Sequence, residues 1–303
     1  MAIRGPRIHL DGISMGYRGQ QELDEFGCEW IWTNLEGWWG TPGIRSETSD
    51  RPSGDGVFAG PAHRAGRVIT LETVVTAPDE VQLAYARERY AGWCADLSTF
   101  YELRVDELTT PKTAAVRLDG EILPTPRTGY SDTISVQLLA PDARRYGAWS
   151  SASTGMATPG TGGIDSSAPG IDSSSPGIDA GTPGSTGIAR ALNPGTAPVS
   201  PLFTLTGPLT RPTVVHVETG SVLTYSGTLA ANELLVINAD VFPQRGYPGR
   251  EVLLGGTARR RDLLARDGPW PEIPARGTAG FSLSAQGIDS RASLLVEWRP
   301  AYY

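Results

Sequence analysis

Short runs in which bulky apolar and polar residues alternate recur along most of the chain, the period-two signature of half-buried strands. In the first half, CEWIWTNL (28 to 35) and GRVITLETVVT (66 to 76) predict strands, the second dense in β-branched residues. FYELRV sets Tyr101, Leu103 and Val105 against Glu102, Arg104 and Asp106, and ISVQLLA sets Ile134, Val136 and Leu138 on one face. Between them, AAVRLDGEIL predicts a hairpin that turns at Asp119-Gly120. One segment changes period. Leu83, Ala86, Tyr90, Trp93, Cys94 and Leu97 recur three and four residues apart, which predicts a helix that starts near Pro78-Asp79 and packs its stripe on a sheet. The stretch GWWGTPGIRSETSDRPSGDGVFAGPAHRAG shows neither period and is longer than a usual connection, so it is expected to be a long irregular loop. Its Trp38 and Trp39 argue against plain disorder.

The second half behaves differently. After about residue 150 the chain turns to Ser, Gly, Pro and Thr, with three seven-residue units: GIDSSAP from Gly163, GIDSSSP from Gly170 and GIDAGTP from Gly177. A proline in every unit and a single large apolar residue exclude a coiled coil. Two readings stand, a flexible or extended insert and a stacked β-turn ladder with the isoleucines on one ridge. From Pro198 onward seven strand-like runs separated by turn residues, PLFTLTG, PTVVHVET, SVLTYSG, ELLVINA, EVLLGG, GFSLSAQ and ASLLVEW, predict an antiparallel sandwich, with ARRRDLLARD able to form one short helical turn. The expected organisation is a first domain over 1–147, an insert over 148–197 and a second domain over 198–303.

Composition agrees with a mainly β protein. The 37 glycines and 24 prolines make up about a fifth of the 303 residues, so chain reversals are frequent. A formal charge of −7 counts against a phosphate-backbone binder, and the run Arg259-Arg260-Arg261 is more simply a solvated face. The 26 basic residues are 25 arginines and Lys112 alone. No apolar run is long enough to span a bilayer and the N-terminus lacks the apolar core of a secretory signal, so membrane insertion is not expected. Cys28 and Cys94 are too few for a disulfide framework and badly spaced for zinc; buried thiols are the expectation, with a bridge between them as the rival.

Catalytic chemistry needs a nucleophile, base or metal held by neighbours, and no HExxH, GxSxG, Walker-type or strand-borne GxGxxG signature occurs. His9 and His216 fall in strand-like runs and His63 in the glycine-rich loop; no catalytic, metal or cofactor site is expected. Asp165, Asp172 and Asp179 supply one carboxylate per heptad, too few oxygens for calcium. Trp270 and Trp298 leave a sugar-stacking site open beside a core role.

The order of these features resembles the distal tail protein family of phages with long, non-contractile tails. The resemblance is carried by the tryptophan-bearing strand, GWWGTPGIR, RPSGDG, GRVITLETVV, the helix after APDE and the exit LLAPDARRYG. In the second half it is carried by NPGTAPVSPLFTLTGPLTRPTV, the TGSVLTYSG hairpin and the ending VEWRPAYY. It implies a first β-sandwich or split-barrel domain with one helix and a galectin-like second sandwich. It also implies a non-enzymatic virion protein at the tail tip or baseplate, made in the host bacterial cytoplasm. Members form a hexameric ring that joins the tail tube to the baseplate hub, with the tape-measure protein and DNA passing through its channel. Implied partners are thus its own copies, the tube, hub and tape-measure proteins, and receptor-binding or fibre proteins. The alternative is a carbohydrate-binding adhesion module that contacts the host surface. Trp38, Trp39 and Arg45 are the expected assembly-interface residues, as bulky aromatics and an arginine in a long loop. The heptads make the junction between domains longer than the family leads one to expect.

Overall fold

The computed structural model describes residues 5–17, 20, 23–158, 161–164, 178–182, 186–287 and 289–303, with backbone alone at 161–164 and 178–182. Two units divide the chain, 1–148 together with 301–303, and 149–300.

In the first unit the strands are β1 (Arg7–Leu10), β2 (Ile13–Met15), β3 (Glu29–Glu36), β4 (Ile44–Asp50), β5 (Val57–Arg64), β6 (Arg67–Thr76), β7 (Tyr101–Asp106), β8 (Pro111–Thr128), β9 (Ser131–Ala140) and β10 (Arg145–Tyr146). The main sheet runs β2-β1-β7-β8-β9-β6-β3. Its two ends meet where Gly16 N donates to Trp30 O and Trp32 N to Gly16 O, giving a nearly closed barrel. The alternation read from sequence holds: Trp30, Ile69, Leu71, Leu103, Val105, Ile134, Val136 and Leu138 all point into one core. Trp30 and Trp93 fill its centre with ring centroids 5.5 Å apart.

The helix α1 (Glu80–Ala91) starts where expected, because the Asp79 carboxylate accepts from Gln82 N and satisfies one of the open N–H groups of the first turn. Leu83, Ala86 and Tyr90 are its buried stripe. Trp93 and Cys94 are buried but lie past the cap at Gly92, and Leu97 is 64% exposed, so the stripe is shorter than its sequence period implied. Cys94, two residues past the cap, takes φ 51°, outside the helical range.

Two expectations are corrected here. Asp119-Gly120 does not turn a hairpin: β8 continues to Thr128, with a register shift between Leu118 and Ile122 that absorbs Gly120 at φ +115°. A glycine at positive φ serves a bulge as well as a turn, and the strand's continued pairing decides between them. The stretch expected to be an irregular loop is instead a two-stranded ribbon, β4 paired antiparallel with β5.

The second unit is a sandwich. One sheet orders Ser150–Gly155, Ser293–Trp298, Leu202–Thr206, Leu234–Asn238, Val252–Leu254 and Ala258–Arg259; the other orders Ile188–Asn193, Gly277–Ser284, Thr213–His216, Val222–Tyr225 and Leu264–Asp267. Each of the seven strand-like runs supplies a strand, and Phe203 meets Phe281 edge-on at 5.1 Å between the sheets. The short turn in ARRRDLLARD is the 3-10 segment Arg261–Leu263. Two sheet strands, Ser150–Gly155 and Ile188–Asn193, fall inside the range expected as an insert, and residues Ala301–Tyr302 pair with β10 of the first unit. Among the heptads, Thr161–Ile164 pairs antiparallel with Ile178–Thr182. The rest of the repeat, and with it the choice between extended insert and turn ladder, lies outside the described residues.

Candidate functional site

The β4–β5 ribbon is the feature of the first unit that its own core does not explain. Every residue of β4 is exposed, and so is every residue of β5 except the half-buried Arg64. The ribbon pairs with no third strand among the described residues, so both of its edges present open N–H and C=O groups. It carries exposed Ile44, Val57 and Phe58, the last beneath the Arg51 guanidinium at 5.6 Å. At the usual rise per residue the seven residues of β4 span about 23 Å. A lone two-stranded ribbon is marginally stable in water, and this one buries no side chain of its own. Such an arm suits strand addition to another chain.

Its base, in contrast, is fixed. Arg67, 1% exposed, reaches from β6 to the turn that follows β3: Nη1 donates toward the carbonyls of Gly37 (2.5 Å), Gly40 (2.7 Å) and Trp38 (2.9 Å), and Nη2 toward Ala143 O (3.2 Å). Burial, with Arg145 and Arg64 nearby, pushes its pKa down to about 10. Gly37 allows the approach, since it holds φ +79° and a Cβ there would sit 2.0 Å from Val68 O.

Trp38 is the second anchor. Its indole N–H donates to Glu107 Oε1 at 2.9 Å, and Arg145 lies over its ring at 5.5 Å while also reaching Glu107 Oε1 at 3.3 Å. Lys112, the chain's one lysine, pairs with the other Glu107 oxygen. Desolvation holds the Arg145 pKa below the ordinary arginine value, and Glu107 opposes that shift. Arg145 Nη2 donates to Tyr303 O at 2.7 Å, Arg64 stacks on the Tyr303 ring at 3.9 Å and Lys112 on Tyr302 at 4.8 Å. The last residues of the chain thus close the cluster at the base of the arm.

The three residues named from sequence separate on this geometry. Trp38 is wholly buried in its own unit, whereas Trp39 is 50% exposed and Arg45 lies on the exposed arm. Trp39 still touches the barrel, its ring 6.3 Å from that of Trp32. The open ribbon itself has no period to reveal it, because neither of its faces is buried.

Two of the three histidines bond within their own unit. His9 bonds Ser14 and Asp106, His63 is exposed on the arm, and the buried His216 bonds the Glu272 carbonyl. Cys28 and Cys94 are both free and buried, and desolvation first, then nearby carboxylates, pushes their pKa values up to about 11 and about 12. Among the described residues no three His, Cys, Asp or Glu side chains gather as a metal site would need. No helix among them is long and apolar enough to cross a membrane.

Comparison with solved structures finds likenesses that span the chain. The fold is similar to that of the SPP1 Dit protein. The two superpose with a TM-score of 0.61 at 11% identity, over 98% of this chain and 99% of the other. Chains of the phage P2 baseplate, in its activated conformation with calcium or strontium, align over 98% of both chains. Their TM-scores are 0.47 and 0.48, at 12% and 11% identity. No family model and no curated protein matches the sequence. At such low identity the SPP1 Dit likeness establishes the two-part, mainly β fold along the whole chain.

Proposed function

We propose that this chain is a structural protein of a phage tail tip. Copies associate through the first unit into a ring, six by the family resemblance, that joins the tail tube to the baseplate hub and leaves a channel for the tape-measure protein and DNA. The observation that carries this reading is the β4–β5 arm, a ribbon with both edges open and its base locked by Arg67 and Trp38. An exposed arm that docks on a different surface of the next copy makes a head-to-tail contact, which closes into a ring when the rotation per copy fits. The likeness to SPP1 Dit, described as a paradigm of the hub adsorption apparatus in phages infecting Gram-positive bacteria, supports the same reading. Trp39 and Arg45 are the proposed contact residues, and Trp38 acts by holding the arm's root.

Light scattering and negative-stain microscopy of the purified chain test this directly. The expected result is a particle of about 190 kDa, six times the 32.2 kDa chain, seen as rings. A variant with residues 45–63 replaced by a short glycine linker is expected to remain folded and to be monomeric. A wild-type monomer at every concentration tried, with and without tube protein, refutes the ring, and rings formed by the armless variant refute the role given to the arm.

A further inference from the structure

The second unit holds a cleft of about 470 Å³ lined by Thr219, Arg250, Arg266, Pro269, Trp270 and Glu272, a volume within the range of small-molecule sites. Three guanidiniums from three different segments converge on one indole: Arg261, Arg266 and Arg250 lie 5.0, 5.6 and 5.7 Å from the centre of the Trp270 ring. Among the described residues none of the three forms an ion pair, although the unit pairs other arginines, such as Arg245 with Glu297. Like charges gathered in one place repel one another. Glu272 is the one carboxylate in the lining, and Arg266 Nη1 also donates to Gly268 O at 2.5 Å, whereas the Arg250 and Arg261 guanidiniums contact only the indole among the described residues.

The segment that carries Trp270 is held from behind. Prolines 269 and 271 flank the tryptophan. The buried Ser221 hydroxyl donates to Pro269 O at 2.5 Å, and buried His216 bonds Glu272 O through Nε2 at 2.9 Å, which fixes the proton on that nitrogen. His216 Nδ1 then accepts from Thr219 N at 3.3 Å and ties the facing turn to the same core residue. Gly268, at φ +87°, packs against Ser221 with no room to spare for a side chain. The indole is therefore presented at a set position, half-buried, with charge around it.

We propose that this cleft binds a saccharide that carries a phosphate or carboxylate group. An indole stacks on the face of a sugar ring, guanidiniums take up the oxyanion in charge-assisted hydrogen bonds, and Thr219 and Glu272 offer partners for hydroxyls. A neutral sugar leaves the arginines uncompensated, and a bare anion leaves the indole unused. The site stands independently of the ring, since it draws on residues of the second unit alone.

Calorimetric titration of the full chain with trigalacturonate and glucose 1-phosphate, and with maltotriose and inorganic phosphate as controls, tests the assignment. The charged saccharides are expected to bind at least about tenfold more tightly than either control, with affinity that falls as salt rises. Arg250→Gln is expected to weaken binding by about tenfold at unchanged far-ultraviolet circular dichroism, and Trp270→Ala to abolish binding, while Arg259→Gln leaves binding intact. Equal binding of maltotriose overturns the role of the charge. Equal binding of inorganic phosphate overturns the saccharide, and no binding of either charged sugar up to about 10 mM overturns the site.

Discussion

Replacing Arg67 with methionine tests whether the root of the arm is held as described. Four carbonyls surround the guanidinium, three of them on Nη1, which has only two hydrogens to give. The geometry therefore supports about three good bonds, each worth about 1.5–3 kcal/mol when the donor is charged, or roughly 4–9 kcal/mol together. Against this stands the cost of keeping the cation out of water. A pKa pushed down to about 10 corresponds, discounted for screening, to roughly 2–3 kcal/mol, which methionine recovers. The expected net loss is about 3 kcal/mol, since the carbonyls of Gly37, Trp38 and Gly40 lose their donor. Urea denaturation followed by tryptophan emission gives the stability. Limited trypsin digestion gives the local effect, with faster cleavage at Arg45 and Arg51 expected. A stability change below about 1 kcal/mol with unaltered cleavage would show that the turn holds itself and that Arg67 merely fills space.

Asp132, buried and bonded by Arg87 (2.8 and 3.0 Å) and Tyr90 (3.1 Å), has its pKa held below the usual carboxylate range, with the Arg87 bond the largest cause. A depressed folded pKa gives stability that is present above the unfolded value and is lost as pH falls through the folded one. Asp132→Asn is thus expected to cost about 2 kcal/mol at pH 7 and to flatten that acid limb in denaturation midpoints; an unchanged limb refutes the assignment. With both thiols buried and pushed up to about 11 and about 12, neither Cys28 nor Cys94 is expected to react with Ellman's reagent at pH 8 until denaturant is added, and prompt titration of either one contradicts the burial. Removing residues 301–303 is expected to destabilise the first unit by about 2 kcal/mol, through loss of the Arg145 bond to Tyr303 O and of two cation-ring contacts. Calorimetry that shows only the second unit affected overturns that placement.

What could be read from the sequence followed from burial on one side of an element. Ile134, Val136 and Leu138, or Leu83, Ala86 and Tyr90, repeat because one face meets a core, and the seven strand-like runs of the second half show the same cause. The β4–β5 ribbon left no such trace, as residues exposed on both faces need no alternation. Ser150–Gly155 was hidden for another reason: SSASTG has only small side chains, and its pairing with Ser293–Trp298 is set by a strand far away in sequence. The return of Ala301–Tyr302 to β10 is equally non-local. The cluster at Trp270 draws Arg250 from a turn, Arg261 from the 3-10 segment and Arg266 from the strand Leu264–Asp267; the last two belong to ARRRDLLARD, but nothing in that run points to Arg250 or to Trp270.

Trp38 and Trp39 show how one dipeptide serves two ends. Both lie in the bend that follows β3, where Trp38 is buried against Glu107 and Arg145 while Trp39 stays half in solvent beside Trp32. The buried ring and the Arg67 clamp fix the direction in which the chain leaves the barrel, whereas the ribbon beyond, Arg64 at its base apart, is exposed throughout. Loosening the root therefore changes where the arm points before it changes whether the barrel folds. In the proposed ring, a clamp variant that retains its barrel should assemble less well than its stability alone explains, because closure depends on the angle between neighbouring copies.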